Sequence, residues 1–216
     1  VETQTREDRF IMKCKQDYPA HLWAKSNPIL QEIRGVKEPE EIAIMQTACN
    51  ITEKGFRRLL QFVKPGVMEY EIEAELLHEF IRNRSKGFAY TPIIASGNNA
   101  NVLHYIKNNR ECKDGDMLLM DVAAEYANYS SDLTRTIPVN GRFTPRQKTV
   151  YEAVLRVKND ATAMLVPGTM WAEYHKEVGK LMTSELLGLG LLDKADVQNE
   201  DKDWPAYKKY FMHGTS

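Results

Sequence analysis

One junction occurs twice in this chain, as Lys64-Pro65-Gly66-Val67-Met68 and as Val166-Pro167-Gly168-Thr169-Met170, and that repetition limits the possible folds more than any other feature. Proline removes a backbone donor and glycine accepts a left-handed backbone, so each Pro-Gly pair should end the helix before it. Before the first, Ile42, Met45, Cys49, Phe56, Leu59 and Val63 recur at helical spacing from Glu38 onward, with Pro39, Glu40 and Glu41 in the opening turn. After it, Ile72, Leu76, Leu77, Phe80 and Ile81 line one face of a second helix from about Glu69, which Gly87 should terminate. Before the second junction, Thr144 as N-cap and Pro145 as a first-turn residue open a helix carrying Val150, Val154, Val157, Ala161 and Leu165. A fourth helix, from about Trp171, bears Tyr174, Val178, Leu181 and Met182 and fades into Gly188-Leu189-Gly190. A polar connection from Asp193 to Asp203 follows, and then a short segment that reads as the start of a strand. The order predicts a duplicated helix-helix-sheet unit whose second copy lacks roughly fifty residues of sheet.

Between the copies, Tyr90–Ala95, Val102–Ile106, Asp116–Ala123 and Tyr129–Val139 read as strands of hairpins or a meander. In the stretch Met117–Ile137, an apolar run ends on Asp121, and Asp132 follows among strand-forming residues. A helix would hold these acids roughly 16 Å apart along its axis. A hairpin reversing near Tyr126 and Ala127, with Asn128 available for the turn, makes them cross-strand partners with Cβ atoms about 4.5–5.5 Å apart. Two carboxylates so close repel unless a proton or cation lies between them, which invites a divalent metal. The spacing equally fits two acids on the solvated face of an ordinary hairpin.

Composition narrows the partners. A net charge of −1 over 216 residues argues against a nucleic-acid or anionic-membrane partner held by bulk electrostatics. No apolar run approaches the roughly 18–20 residues of a membrane span, and no signal peptide is visible. Cys14, Cys49 and Cys112 are odd in number and widely spaced, as expected of reduced thiols in a cytoplasmic protein. Residues 1 to about 35 show no sustained period, and Trp23 reads as a packing residue. The chain opens on Val1 and stops inside Met212-His213-Gly214-Thr215-Ser216, so a fragment of a longer chain is expected.

Several blocks together resemble one family: Gly35-Val36-Lys37-Glu38-Pro39-Glu40-Glu41-Ile42, Leu103-His104-Tyr105, Met120-Asp121-Val122-Ala123-Ala124-Glu125-Tyr126, Ser131-Asp132-Leu133-Thr134-Arg135-Thr136, Pro138-Val139-Asn140-Gly141-Arg142-Phe143-Thr144, and the terminal Met212-His213-Gly214-Thr215-Ser216. From about residue 35 onward the chain resembles the catalytic domain of Xaa-Pro aminopeptidases (aminopeptidase P) and prolidases. The resemblance implies an α+β, pita-bread fold: a duplicated unit with helices packed outside a curved antiparallel sheet, its second half incomplete. It makes residues 1–34 the end of an N-terminal domain and linker, and 35–216 the catalytic domain.

The same resemblance implies a metal-activated water in a dinuclear site, cleaving the bond between an N-terminal residue and a following proline. It implies five ligands (two Asp, one His and two Glu) for two divalent metal ions, Mn2+ foremost, with Zn2+ or Co2+ as alternatives. Asp121 would bind one metal and Asp132 would bridge both. His104 would stand in the substrate-facing wall and orient the peptide. His213 would open a His-Gly-x-Ser-His motif in the substrate and product pocket, with the metal-binding histidine one position beyond Ser216. The implied partners are a peptide with proline second and a second copy in a homodimer, with no nucleic acid and no membrane. A prolidase confined to dipeptides and a non-catalytic pita-bread protein that binds a peptide or partner are the competing readings. Thr134 and Arg135 could orient the carboxylates or simply face solvent. His78, Glu125 and Glu152 are expected at the surface or its boundary.

Overall fold

The computed structural model describes residues 5–201 and 204–211. In chain order these form α1 (Arg6–Asp17), α2 (Asn27–Gly35), α3 (Pro39–Phe62), α4 (Glu69–Arg82), β1 (Gly87–Phe88), β2 (Ile93–Ser96), β3 (Met117–Asp121), β4 (Ala124–Tyr126), β5 (Tyr129–Ser130), β6 (Thr134–Pro138), α5 (Pro145–Ala163), α6 (Trp171–Gly188) and α7 (Lys194–Gln198). The chain divides into two compact units, Val1–Arg58 with Glu75–Pro92 and Val122–Leu133, and Leu59–Ala74 with Ile93–Asp121 and Thr134–Ser216.

In the first unit, α3 and α4 approach closely at Gly55, where an added Cβ would come within 2.8 Å of the Phe80 ring. Ala48, Ile51 and Thr52 on α3, and Leu76 and Phe80 on α4, are buried. The hydroxyls of Thr52 and Ser131 form a closed knot with Ala124. Ser131 Oγ donates to the Ala124 carbonyl at 2.8 Å, the Ala124 N–H donates to Thr52 Oγ1 at 2.8 Å, and the two hydroxyls are 2.7 Å apart. Because the Ser131 proton is already committed, the Thr52 hydroxyl donates to Ser131 Oγ. Thr52→Val keeps the shape but strands a buried N–H, so it should cost about 1–3 kcal/mol. Denaturant unfolding checks this as a lower midpoint at unchanged slope.

Strands β1, β4 and β5 form one antiparallel sheet, with Gly87 opposite Glu125, and Tyr126 opposite Tyr129. The hairpin therefore turns at Ala127-Asn128, both with positive φ (50° and 67°), as a two-residue turn matching the strand twist demands. The turn lies one residue later than the spacing argument placed it. Glu125, expected at the surface, is half-buried: Oε1 accepts from the Asn128 N–H, and the buried Oε2 has no hydrogen-bond partner among the described residues.

Several sequence expectations give way here. Helix α4 stops at Arg82, not at Gly87: Arg84 takes the left-handed conformation (φ 70°) and the Ser85 N–H caps the Phe80 carbonyl. Gly87 (φ 133°) instead opens β1. Residues before 35 hold two helices, neither with a buried residue. Thr5 and Asp8 form a reciprocal capping box on α1, a signal present in the sequence. Trp23 is 46% exposed, so it packs over only part of its surface.

In the second unit, β2, β3 and β6 form an antiparallel sheet in that order. Leu118 and Met120 are fully buried while Met117, Leu119 and Asp121 are half-buried, the alternation of a two-faced strand. Residues 102–106 are not a strand. They follow a 3-10 turn over Gly97–Asn101, and His104 and Asn108 have positive φ (52° and 45°). Helix α5 begins as expected at a Thr144 cap, with Gln147 completing the capping box, and it packs Val157 and Ala161 against Tyr174 and Val178 of α6. The polar connection contains α7, capped by Asp193, and Ala206–Lys209 form a 3-10 turn; the strand expected at the end of the chain, from about Phe211 to Ser216, lies outside the described residues beyond Phe211.

Candidate metal centre

Asp121 ends β3 in the second unit, on the face opposite Leu118 and Met120. Its neighbours across the ladders are Ile93 on β2 and Thr134 on β6. The predicted direct partner was Asp132. The one-residue displacement of the turn moves each cross-strand pair by two positions, so Thr134 takes that place.

Asp132 belongs to the first unit, in the connection after β5. It is exposed, and its Oδ1 accepts a hydrogen bond from the Tyr90 hydroxyl at 3.1 Å. Its position comes from its neighbour: Ser131 is buried in the Thr52–Ala124 knot, which fixes the backbone immediately before the carboxylate. Among the described residues, no group of three or more His, Cys, Asp and Glu could hold a metal ion. Thr134 stands opposite Asp121, whereas among the described residues the Arg135 guanidinium donates only to the Thr134 carbonyl, at 2.7 Å in an exposed position. His78 and Glu152 are exposed.

His104 is exposed in its left-handed turn. The next residue, Tyr105, is 8% exposed and its hydroxyl donates to Glu69 Oε2 at 2.8 Å. Glu69, at the start of α4, is fully buried. Its Oε1 accepts from Ser96 N (2.7 Å), Ser96 Oγ (2.8 Å) and Asn99 Nδ2 (3.2 Å), and its Oε2 also accepts from Arg110 N at 2.9 Å. Burial, the largest influence on this carboxyl, pushes its pKa up. The amides of Ser96 and Arg110 and the Tyr105 hydroxyl outweigh it, and the net shift is downward. Burial and the bond to Glu69 raise the Tyr105 phenol.

Sequence reading gave Glu69 no role beyond opening a helix, and nothing local in the sequence points to its partners. His213 lies outside the described residues. Cys112 is buried in the second unit, and burial pushes its thiol up to about 11, so it is a poor ligand or nucleophile at neutral pH.

Residues 43–216 match metallopeptidase family M24. An Xaa-Pro aminopeptidase of Haemophilus influenzae is 42% identical over 187 residues, covering 87% of this chain and 43% of that protein. A zinc-substituted Escherichia coli aminopeptidase P in complex with product is similar in structure with a TM-score of 0.81 and 38% identity, covering 88% of this chain and 43% of the other. The Pseudomonas aeruginosa aminopeptidase PepP gives a TM-score of 0.83 and 32% identity, covering 99% and 50%. This chain thus spans half or less of the length of these relatives. The likeness shows the fold to be the α+β pita-bread architecture.

Proposed function

The chain belongs to metallopeptidase family M24, and from that premise we propose that its natural full-length protein is a metal-dependent aminopeptidase cleaving between an N-terminal residue and a following proline. The observation that carries this reading is the 42% identity to an Xaa-Pro aminopeptidase over most of the chain. The residues present fit a divalent ion in kind. Carboxylate oxygens are hard donors that suit Mn2+, as well as Zn2+ or Co2+ in a mixed oxygen and imidazole set. Asp121 and Asp132 would hold two such ions, Asp132 bridging them, with further ligands from outside the described residues. When bound, the ions lower the pKa of a water and polarise the scissile carbonyl.

The chain's own groups divide the remaining work. Tyr90 holds one Asp132 oxygen in place, and the Ser131 knot keeps the connection from shifting. His104, presented to solvent on its turn, orients the peptide. His213 would line the substrate and product pocket. A cytoplasmic homodimer acting on peptides, without nucleic acid, completes the proposal. Among the described residues no helix is long and apolar enough to cross a membrane. The relatives reported above are named as aminopeptidases, which favours that activity over a prolidase confined to dipeptides.

The test is hydrolysis of an Xaa-Pro tripeptide by the full-length protein with added Mn2+, before and after chelation. Cleavage should fall by more than about 100-fold on chelation and return with metal. A protein with no metal-dependent cleavage is not an enzyme of this kind, and the binding-protein reading then stands. Cleavage of dipeptides alone would make it a prolidase.

A further inference from the structure

We propose that Glu69 is a positioning residue for His104: its buried carboxylate fixes residues 96 to 110 and, through Tyr105, sets where the imidazole is presented. The inference rests on the reading of His104 as the group that orients the peptide.

His104 needs an external hold. It sits at φ 52°, a conformation that side chains other than glycine rarely adopt unless their surroundings enforce it. No ladder supplies that hold, because residues 102–106 form no strand. Packing holds it only at the Tyr105 ring, since Val102, Leu103 and Ile106 are all more than half exposed. The hydrogen bonds converge on Glu69 instead. Ser96 and Asn99 bind its Oε1 at one end of the segment, and Arg110 N binds Oε2 at the other. The Glu69 N–H also donates to the Arg110 carbonyl at 2.9 Å. Between these ends the Tyr105 hydroxyl reaches Oε2, one residue from His104.

One turn along α4, Glu73 Oε2 accepts from Asn108 Nδ2 at 2.9 Å, and Asn108 Oδ1 accepts from Ile94 N at 3.1 Å, so the helix grips the same segment twice. A fully buried carboxylate with five donors is costly to assemble and useful mainly where it enforces one backbone path. Here that path ends in an exposed histidine.

The experiment uses the full-length protein with Mn2+ and an Xaa-Pro tripeptide, comparing His104→Ala, Tyr105→Phe and Glu69→Gln, at a temperature where each is folded, with the two double variants that combine His104→Ala with each of the others. Tyr105→Phe preserves the buried ring and removes the hydroxyl's bond to Glu69 together with its longer contacts to Asn109 Oδ1 (3.3 Å) and Asn109 N (3.5 Å). It should lower kcat about 10-fold with KM within about threefold, since misplacing an orienting group acts mainly on the transition state. Glu69→Gln should show the same split with a larger loss. On a His104→Ala background, neither change should lower kcat further. Losses that multiply in full, a Tyr105→Phe variant as active as wild type, or a His104→Ala variant with unchanged activity would each overturn the proposal.

A second readout needs no catalysis. Amide hydrogen exchange at Val102 and Arg110, whose N–H groups donate to the Asn99 carbonyl and to Glu69 Oε2, should rise about 10-fold in Tyr105→Phe while α5 and α6 stay protected. Unchanged exchange there overturns the anchoring even if the protein cleaves nothing, and absent cleavage alone counts only against the activity proposed above.

Discussion

Asp132→Asn in the full-length protein is expected to abolish most Xaa-Pro hydrolysis, lowering kcat/KM by more than about 100-fold, while leaving stability within about 0.5 kcal/mol. The two halves of that expectation have separate physical grounds. Asparagine has nearly the shape of aspartate, and its carbonyl oxygen can still accept the 3.1 Å bond from Tyr90. The side chain is exposed, and the backbone before it is pinned by Ser131, which the substitution leaves alone. Only the charge is lost. In the bridging role proposed for it Asp132 could not spare that charge, and even removing hydrogen-bond partners behind a metal ligand typically costs about 10–100-fold. Steady-state kinetics with metal analysis of the purified variant, set beside its thermal melt, decides the matter. Activity within about threefold of wild type would remove Asp132 from the site, and a lowered melt would make it a structural residue.

The parts of the fold that could be read from the sequence are those governed by local rules. Helices α3 to α6 follow from apolar residues at helical spacing and from Pro-Gly breaks, and α5 starts where Thr144-Pro145 says it should. Asp121 and Asp132 were legible because an acid closing an apolar strand and a second acid in a Thr-Arg-Thr context are both visible one-dimensionally. The cross-strand register was not. It depends on which residues enter the left-handed region, and Ala127 gives no hint that it will do so beside Asn128. Arg84 likewise takes a conformation that sequence reading reserves for glycine, which is why the end of α4 was placed at Gly87. Val102–Ile106 has the composition of a strand, but the segment carrying it is tied to a side chain. That side chain, Glu69, was invisible as a functional element because its partners stand 27 to 41 residues away.

Glu69→Gln should therefore have the largest effect on stability of any single isosteric change considered, about 3 kcal/mol at neutral pH. The amide replaces one acceptor oxygen by a donor. If the NH2 takes the Oε1 site, it faces Ser96 N, Ser96 Oγ and Asn99 Nδ2; if it takes the Oε2 site, it faces Arg110 N and the Tyr105 hydroxyl. Either orientation opposes at least one backbone N–H, Ser96 N or Arg110 N, that cannot rotate away, although the Tyr105 hydroxyl can turn to accept. The effect should also depend on pH with a definite sign. The carboxyl is held below its ordinary value in the folded protein, so its contribution is fully present above the unfolded glutamate value of about 4.3 and is lost as pH falls through the lower folded value. Glutamine does not titrate. Wild type and variant should thus differ most at pH 6–7 and converge on acidification below about pH 4. Denaturant titrations of both proteins across that range measure the difference directly. A gap that stays constant with pH would show that packing at residue 69, and not the charge held by Ser96, Tyr105 and Arg110, is what ties α4 to the segment bearing His104.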